Sequence, residues 1–458
     1  MDAELPGAVV GDEPLLMIGA IGGGSGGPCI LGCMQYPAKS DGLTLAECTL
    51  HLECGRRSGD YLCRVSFDLH RTDVIVIESL ESVAASFSNC GFDDSFFVSS
   101  PSIREPIECF VNSTSRDSNG GFKIKLMPKR AYVFVDQSRP LVRVTAGVVN
   151  LGHYGHKRPL VVRQFTLTDY EWSIDFTPAL ETILQYPPEI QNAEYFFTHQ
   201  IELRKKSGSS FSAIEARDEL NLLCGFLSFC HGFWVSTALT CGMDEEGVVA
   251  MEEWGIRQVS PWHRGTNWLD ECNGTCMVEL YPLFVERMRD PDWCATIKQT
   301  IYWNHRSEMT FVGPDGGCIL LQTVLERLAW QLFVIDKRSL SEEGFSKLPA
   351  ADQLRLLISA SSIPLEIPPQ LTDLQKAAKE FNWNDGPQAF VTIRNRLVHP
   401  PKTKGSLGKE WPYYEAYLLG KWYLDLVILN TCKYKGLYAN RTKIPRSVGE
   451  VERVPWAS

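Results

Sequence analysis

At 458 residues and 51.5 kDa the chain has room for about three domains, and 44% apolar residues with 12 Trp exclude a mainly disordered or collagen-like polymer. A formal charge of −10 excludes a protein that coats polyanions over its whole surface. Fifteen cysteines, odd in number and irregularly spaced, suit free buried thiols in a reducing compartment, so a cytoplasmic protein is expected.

Residues 1–16 carry Asp2, Glu4, Asp12 and Glu13 and no Lys or Arg, the wrong sign for a signal peptide. The spacing Gly22-x-Gly24-x-x-Gly27 formally matches a dinucleotide fingerprint, but Pro28 and Gly32 stand where a helix would have to open, so it reads as a turn. Cys48, His51, Cys54 and Cys63 have ligand chemistry without a standard zinc spacing, and buried strand cysteines are the expected outcome. Cys29/Cys33 and Cys272/Cys276 are spaced i, i+4 and are read the same way, so neither metal nor cofactor is expected.

Residues 1–205 read as strands and loops, with β-branched and aromatic stretches such as Arg130–Asp136 and Pro140–Thr145 separated by Gly, Pro, Ser and Asn. From Ser212 the spacing turns helical over Ile214–Leu227, followed by a strand pair, Trp234–Thr240 and Val248–Trp254, around Asp244-Glu-Glu-Gly247. The uncharged run Leu220–Met243 is long enough for a membrane but contains Asn, Ser, Thr and His, and reads as a buried helix passing into a strand; no membrane partner is expected. Beyond residue 277 helices are expected at Val278–Met288, Trp293–His305, Ile319–Ile335, Ala351–Ser359, Leu371–Phe381, Pro387–Val398 and Tyr413–Cys432. The fold class is therefore α+β: a β-rich N-terminal domain (1–205), a mixed α/β connecting region (206–289), an all-α bundle (290–445) and a C-terminal tail (446–458).

His263 and His305 read as structural histidines. The segment with chemistry is Ile393-Arg-Asn-Arg-Leu-Val-His-Pro400, at a helix end. Asn395 and His399, four apart, would share a helix face, and the long side chain of Arg394 can swing toward them. Pro400 disfavours helix at His399, so the helix should stop there, and its carbonyl end favours an imidazolium. RNA cleavage needs a base for the 2′-hydroxyl, an acid for the leaving oxygen and a cation for the phosphorane, all of which His and Arg supply without metal; the competing reading is a simple helix cap. Residues 391–445 hold ten Lys/Arg against three acids, a net of +7 that leaves −17 on the remainder, as a local site for a phosphate backbone would require. Arg396, Lys402 and Lys404 are the RNA-binding candidates. The helix Tyr413–Cys432 is apolar nearly all round and must be covered by its own domain or by a second copy.

Arg394-Asn395-x-x-x-His399 resembles the R-x₄₋₆-H signature of HEPN domains, and its flanks, Asp385–Pro400 and Gly420–Leu429, are similar to the ApeA-like branch of bacterial antiphage defence. The resemblance covers about 290–445. It implies a helical bundle pairing into a homodimer, with two R…H motifs forming one composite, metal-independent endoribonuclease site. Arg394 would then stabilise the scissile phosphate, His399 would be the acid/base, Asn395 would orient phosphate or His399, and Glu326 would be an acidic helper from an upstream helix. Pro400-Pro-Lys402 replaces the Tyr that some toxin-type members carry after the histidine. The implied substrate is RNA, with transfer RNA a candidate, and the N-terminal part would be a sensor for a phage-derived trigger. The alternatives are a non-catalytic RNA- or nucleotide-binding module and a ligand-recognition protein acting through its β domain.

Overall fold

The computed structural model describes residues 43–457, apart from 69–73, 86, 88–89, 91–93, 101–102, 117, 119, 153–163, 179–194, 257, 263–266, 310 and 400–410. The Gly22–Gly27 run, Cys29, Cys33 and His263 lie outside the described residues.

Six strands, β1 (Leu43–Cys54), β2 (Arg57–Asp68), β3 (Val74–Ser79), β4 (Phe96–Ser100), β5 (Ile103–Arg116) and β6 (Phe122–Pro128), close into an antiparallel barrel in the order β1-β2-β3-β6-β5-β4. Period-two alternation fills it: Leu50 and Leu52 of β1, Cys63, Val65 and Phe67 of β2, and Ile124 and Leu126 of β6 are almost fully buried. The β1–β2 hairpin turns through Gly55, whose φ of 62° lies in the left-handed region that glycine tolerates. The same alternation dismantles the Cys48/His51/Cys54/Cys63 set. Cys48 pairs across the hairpin with Cys63 and Cys54 is buried, whereas His51 points outward and meets Asp60 at 2.7 Å.

A second, seven-stranded antiparallel sheet follows. It is built from β7 (Tyr132–Val135), β8 (Arg143–Val149), β9 (Phe165–Thr168), β10 (Trp172–Pro178), β11 (Phe197–Lys205), β12 (Ser236–Met243) and β13 (Val249–Ile256), in the order β7-β13-β12-β8-β11-β10-β9. Every residue of β12 is buried, because the barrel core continues onto one face of the sheet through Phe197, Leu239 and Trp254, and helices cover the other. Because β12 slots between β8 and β13, the expected boundary at residue 205 falls inside one sheet. A local reading could not see that pairing.

Helix α1 (Ala213–His231) opens on a reciprocal capping box: the Glu215 N–H donates to Ser212 Oγ at 3.2 Å and the Ser212 N–H to Glu215 Oε2 at 2.8 Å. Gly232, φ 87°, stops it, so the Leu220–Met243 run is a buried helix turning into β12, as expected. The helical part comprises α2 (Thr275–Met288), α3 (Pro291–Glu308), α4 (Gly313–Trp330, continued as a π-helical turn over Gln331–Asp336), the short α5 (Glu342–Ser346), α6 (Ala350–Ala360), α7 (Thr372–Phe381), α8 (Gly386–Val398) and α9 (Tyr413–Thr431). The expected α+β order is thus observed, a β-rich region followed by helices. Gly313–Asp336 is long and apolar enough to cross a membrane, with mean hydropathy 1.5, but it packs against α3, α6, α8 and α9 as a core helix. Helix α9 is covered within its own chain: Ala416 and Leu418–Leu429 are buried against α4, α6, α7 and α8, so its apolar surface does not call for a second copy. Residues 446–457 are not a free tail. β15 (Glu452–Arg453) pairs with β14 (Leu437–Tyr438), Val454 is buried, and the Trp456 indole N–H donates to the Tyr434 carbonyl at 2.6 Å.

Candidate active site

Helix α8 starts where Asp385 accepts from the Gln388 N–H at 2.9 Å, with Arg355 clamping the same carboxylate at 2.6 and 3.2 Å. Its apolar face, Ala389, Phe390, Val391 and Ile393, is buried against α4, α6 and α9, which turns the next positions outward. The helix ends as the Pro400 rule requires. His399 is the cap, extended at φ −119° and ψ 93°, and its N–H donates to the Asn395 carbonyl at 2.7 Å.

Asn395 and His399 are exposed, and Arg394 is half-buried with its Nη1 donating to Asn395 Oδ1 at 3.2 Å. The Nε of Arg394 is enclosed and makes no hydrogen bond among the described residues, so the guanidinium keeps a donor to spare. The structure therefore joins Arg394 to Asn395 and sets His399 one turn on, past the helix end rather than on its face. Glu326, on α4, accepts from Gln322 Nε2 at 2.6 Å, and no hydrogen bond or ion pair links it to Arg394 or His399 among the described residues.

Of the RNA-binding candidates, Lys402 and Lys404 lie outside the described residues. Arg396 is partly buried and stacked on aromatic rings. Its guanidinium lies 3.8 Å from the centre of the Trp411 ring and 5.4 Å from that of Phe381, inside an aromatic group completed by Trp383. A planar, weakly hydrated cation stacks on such rings. Arg396→Ala should therefore lower stability by about 0.5–2 kcal/mol in a thermal melt and leave RNA affinity unchanged at equal folded fraction; a selective loss of affinity would restore the RNA role.

The +7 of residues 391–445 is also not all surface charge. Lys421 of α9 is fully buried, with its ammonium on Glu308 of α3 and on Asn304 Oδ1. Arg441 is buried beside it, bonded to Asp425 and 3.1 Å from Glu308. Burial pushes the Glu308 carboxyl up, but the Lys421 and Arg441 charges overcome it and hold it below its usual value. Burial outweighs the same partners at Asp425, which is raised, and it brings Lys421 down to about 8. Perturbed groups of this kind attract attention as active sites, but each here is almost wholly excluded from solvent and faces an opposite charge, the pattern of an internal ion network. Sequence reading missed it, since Glu308, Lys421, Asp425 and Arg441 are ordinary charges until α3 and α9 dock. Lys443, another of the ten, pairs with Glu452 at 2.9 Å, while Lys433 and Lys435 are exposed.

His305 is structural, as expected. It is buried against Trp234, ring centres 4.6 Å apart, and its Nδ1 meets the Gly232 carbonyl at 2.6 Å, so Nδ1 carries the proton. Burial is the largest influence and lowers its pKa to about 3, with Lys421 and His231 assisting and Glu308 opposing. Between pH 3 and about 6.5 the native ring stays neutral while the unfolded one is protonated. Native protein then binds fewer protons, so stability rises with pH across that window and is lost as pH falls through it. In urea melts from pH 6.5 to 4, wild type should lose up to about 1.4 kcal/mol per pH unit more than His305→Gln; equal slopes would refute the neutral-ring assignment.

Comparison with known proteins places these elements. The chain is 28% identical over 265 residues to the SPbeta prophage-derived uncharacterized protein YopA of Bacillus subtilis (strain 168), a match over 57% of this chain and 58% of that relative's length. No solved structure matches. Residues 136–265, which hold most of the seven-stranded sheet and α1, match the YopA central domain, and residues 290–453, the helical part that carries Arg394 and His399, match the YopA C-terminal domain.

Proposed function

We propose that the helical part is a metal-independent endoribonuclease of the HEPN type, acting at a site made by two copies of the chain. The observation that carries this reading is the Arg394–Asn395 pair at 3.2 Å with exposed His399 at the end of the same helix. His399 takes the 2′-hydroxyl proton, the 2′-oxygen attacks phosphorus, Arg394 neutralises the phosphorane, and the departing 5′-oxygen is protonated by His399 of the partner subunit. The products are a 2′,3′-cyclic phosphate and a 5′-hydroxyl. Homodimer formation supplies the second imidazole, and Glu326 has no place in this scheme. A cytoplasmic location gives access to RNA. A relative carried by a prophage suits a role in conflict between phages and their hosts, in which the β-rich part would sense a phage-derived trigger.

The test is to incubate the purified protein with total RNA and transfer RNA in EDTA and to map new ends. Cyclic-phosphate termini are expected. RNA that is bound by a dimer but never shortened would instead establish the non-catalytic binding module.

A further inference from the structure

The strand alternation that separates His51 from the cysteines assembles another group at the end of the barrel. Cys54, the last residue of β1, and Cys90, in the chain between β3 and β4, are both buried with their sulfurs 3.4 Å apart. A carboxylate oxygen of Asp94 completes a trio whose ligand atoms all lie within 4.8 Å of one another. Arg57, which opens β2, donates from Nη1 to Cys90 Sγ at 2.9 Å.

We propose that Cys54, Cys90 and Asp94 bind a divalent zinc-class ion, with Arg57 as the outer partner of the Cys90 thiolate. Two thiolates on a tetrahedral zinc at about 2.3 Å stand about 3.8 Å apart, so the sulfurs need to open by only about 0.4 Å. The charges balance as well: two thiolates and a carboxylate around a dication leave one negative charge, and the guanidinium beside Cys90 cancels it. Binding sends the two thiol protons to solvent. Asp94 is exposed, which gives the ion a route in and leaves a fourth position for water. The ion would tie the β1–β2 turn to the chain before β4 and so close one end of the barrel, which lies outside both matched domains.

The full chain, reduced with a phosphine and stripped with chelator, is titrated with Co²⁺. A thiolate-to-cobalt charge-transfer band saturating at one equivalent and displaced by Zn²⁺ is expected. Cys90→Ser should abolish it, Arg57→Gln should weaken binding by about 10–100-fold, and Cys48→Ser should leave it unchanged. Asp94→Asn, at an exposed position that leaves the fold intact by circular dichroism, should weaken it by at least about tenfold and separates loss of a ligand from loss of structure. No band in folded wild type, a band that survives in Cys90→Ser, or a Cys54–Cys90 disulfide in air-oxidised protein whose reduced form binds no Co²⁺ would each overturn the proposal.

Discussion

His399→Ala should lower RNA cleavage by about 10²–10⁴-fold, the range that a positioned acid/base contributes, with the fold unchanged because the side chain is exposed and caps the helix only through its main chain. Arg394→Ala should cost about 10²–10³-fold through the lost charge on the phosphorane, and Arg394→Lys should recover part of it, since an ammonium keeps the charge but not the fork that meets Asn395. Single-turnover cleavage of a labelled RNA, with RNA affinity measured in parallel, separates chemistry from binding. If His399→Ala cleaves at the wild-type rate, the imidazole has no chemical role and the nuclease assignment fails. Mixing chains adds a test of the composite site: a dimer of one wild-type and one His399→Ala chain keeps a single imidazole, so its cleavage should fall far below half of the wild-type rate if the two histidines act across the dimer.

Lys421→Met should destabilise the helical part by about 3–5 kcal/mol, which lowers its melting temperature by on the order of 10 °C. The reason is the partner left behind. Glu308, enclosed between α3 and α9, keeps only Arg441 at 3.1 Å, and Arg441 is already shared with Asp425. An uncompensated charge in that setting costs more than the pair contributed, so the double variant Glu308→Gln/Lys421→Met should be more stable than Lys421→Met alone. If Lys421→Met melts with the wild type, the network is not as dry as its burial states. Because α8 lies on α9, the loosened protein should also lose the proposed RNA cleavage at a lower temperature than wild type.

Much of the helical part was legible because its signals are local. Asp385 and Pro387 mark the start of α8 and Pro400 its end, and the spacing of apolar residues places α2, α3, α6, α7 and α9 to within a few residues, whereas α4 begins at Gly313, six residues before the expected Ile319, because Gly313–Gly317 is helical rather than a connector. Ser212 with Glu215 and Gly232 bracket α1 in the same way. The short α5 and the β14–β15 pair were missed, since a single helical turn and two-residue strands carry almost no periodicity.

What the amino-acid order determined by itself was the class of fold, the identity of the elements and the presence of Arg394, Asn395 and His399 at one helix end, because caps, turns and periodicity act within a few residues. Only the tertiary structure decided which charges are inside and which thiols meet. Lys421 reaches Asn304 across 117 residues, Cys54 reaches Cys90 across 36, and Arg396 lies on Trp411 rather than in solvent. A side chain's environment is set by strand pairing and helix docking over long loops, and a buried ion pair and a solvated lysine are the same letters until that docking removes the water from one of them.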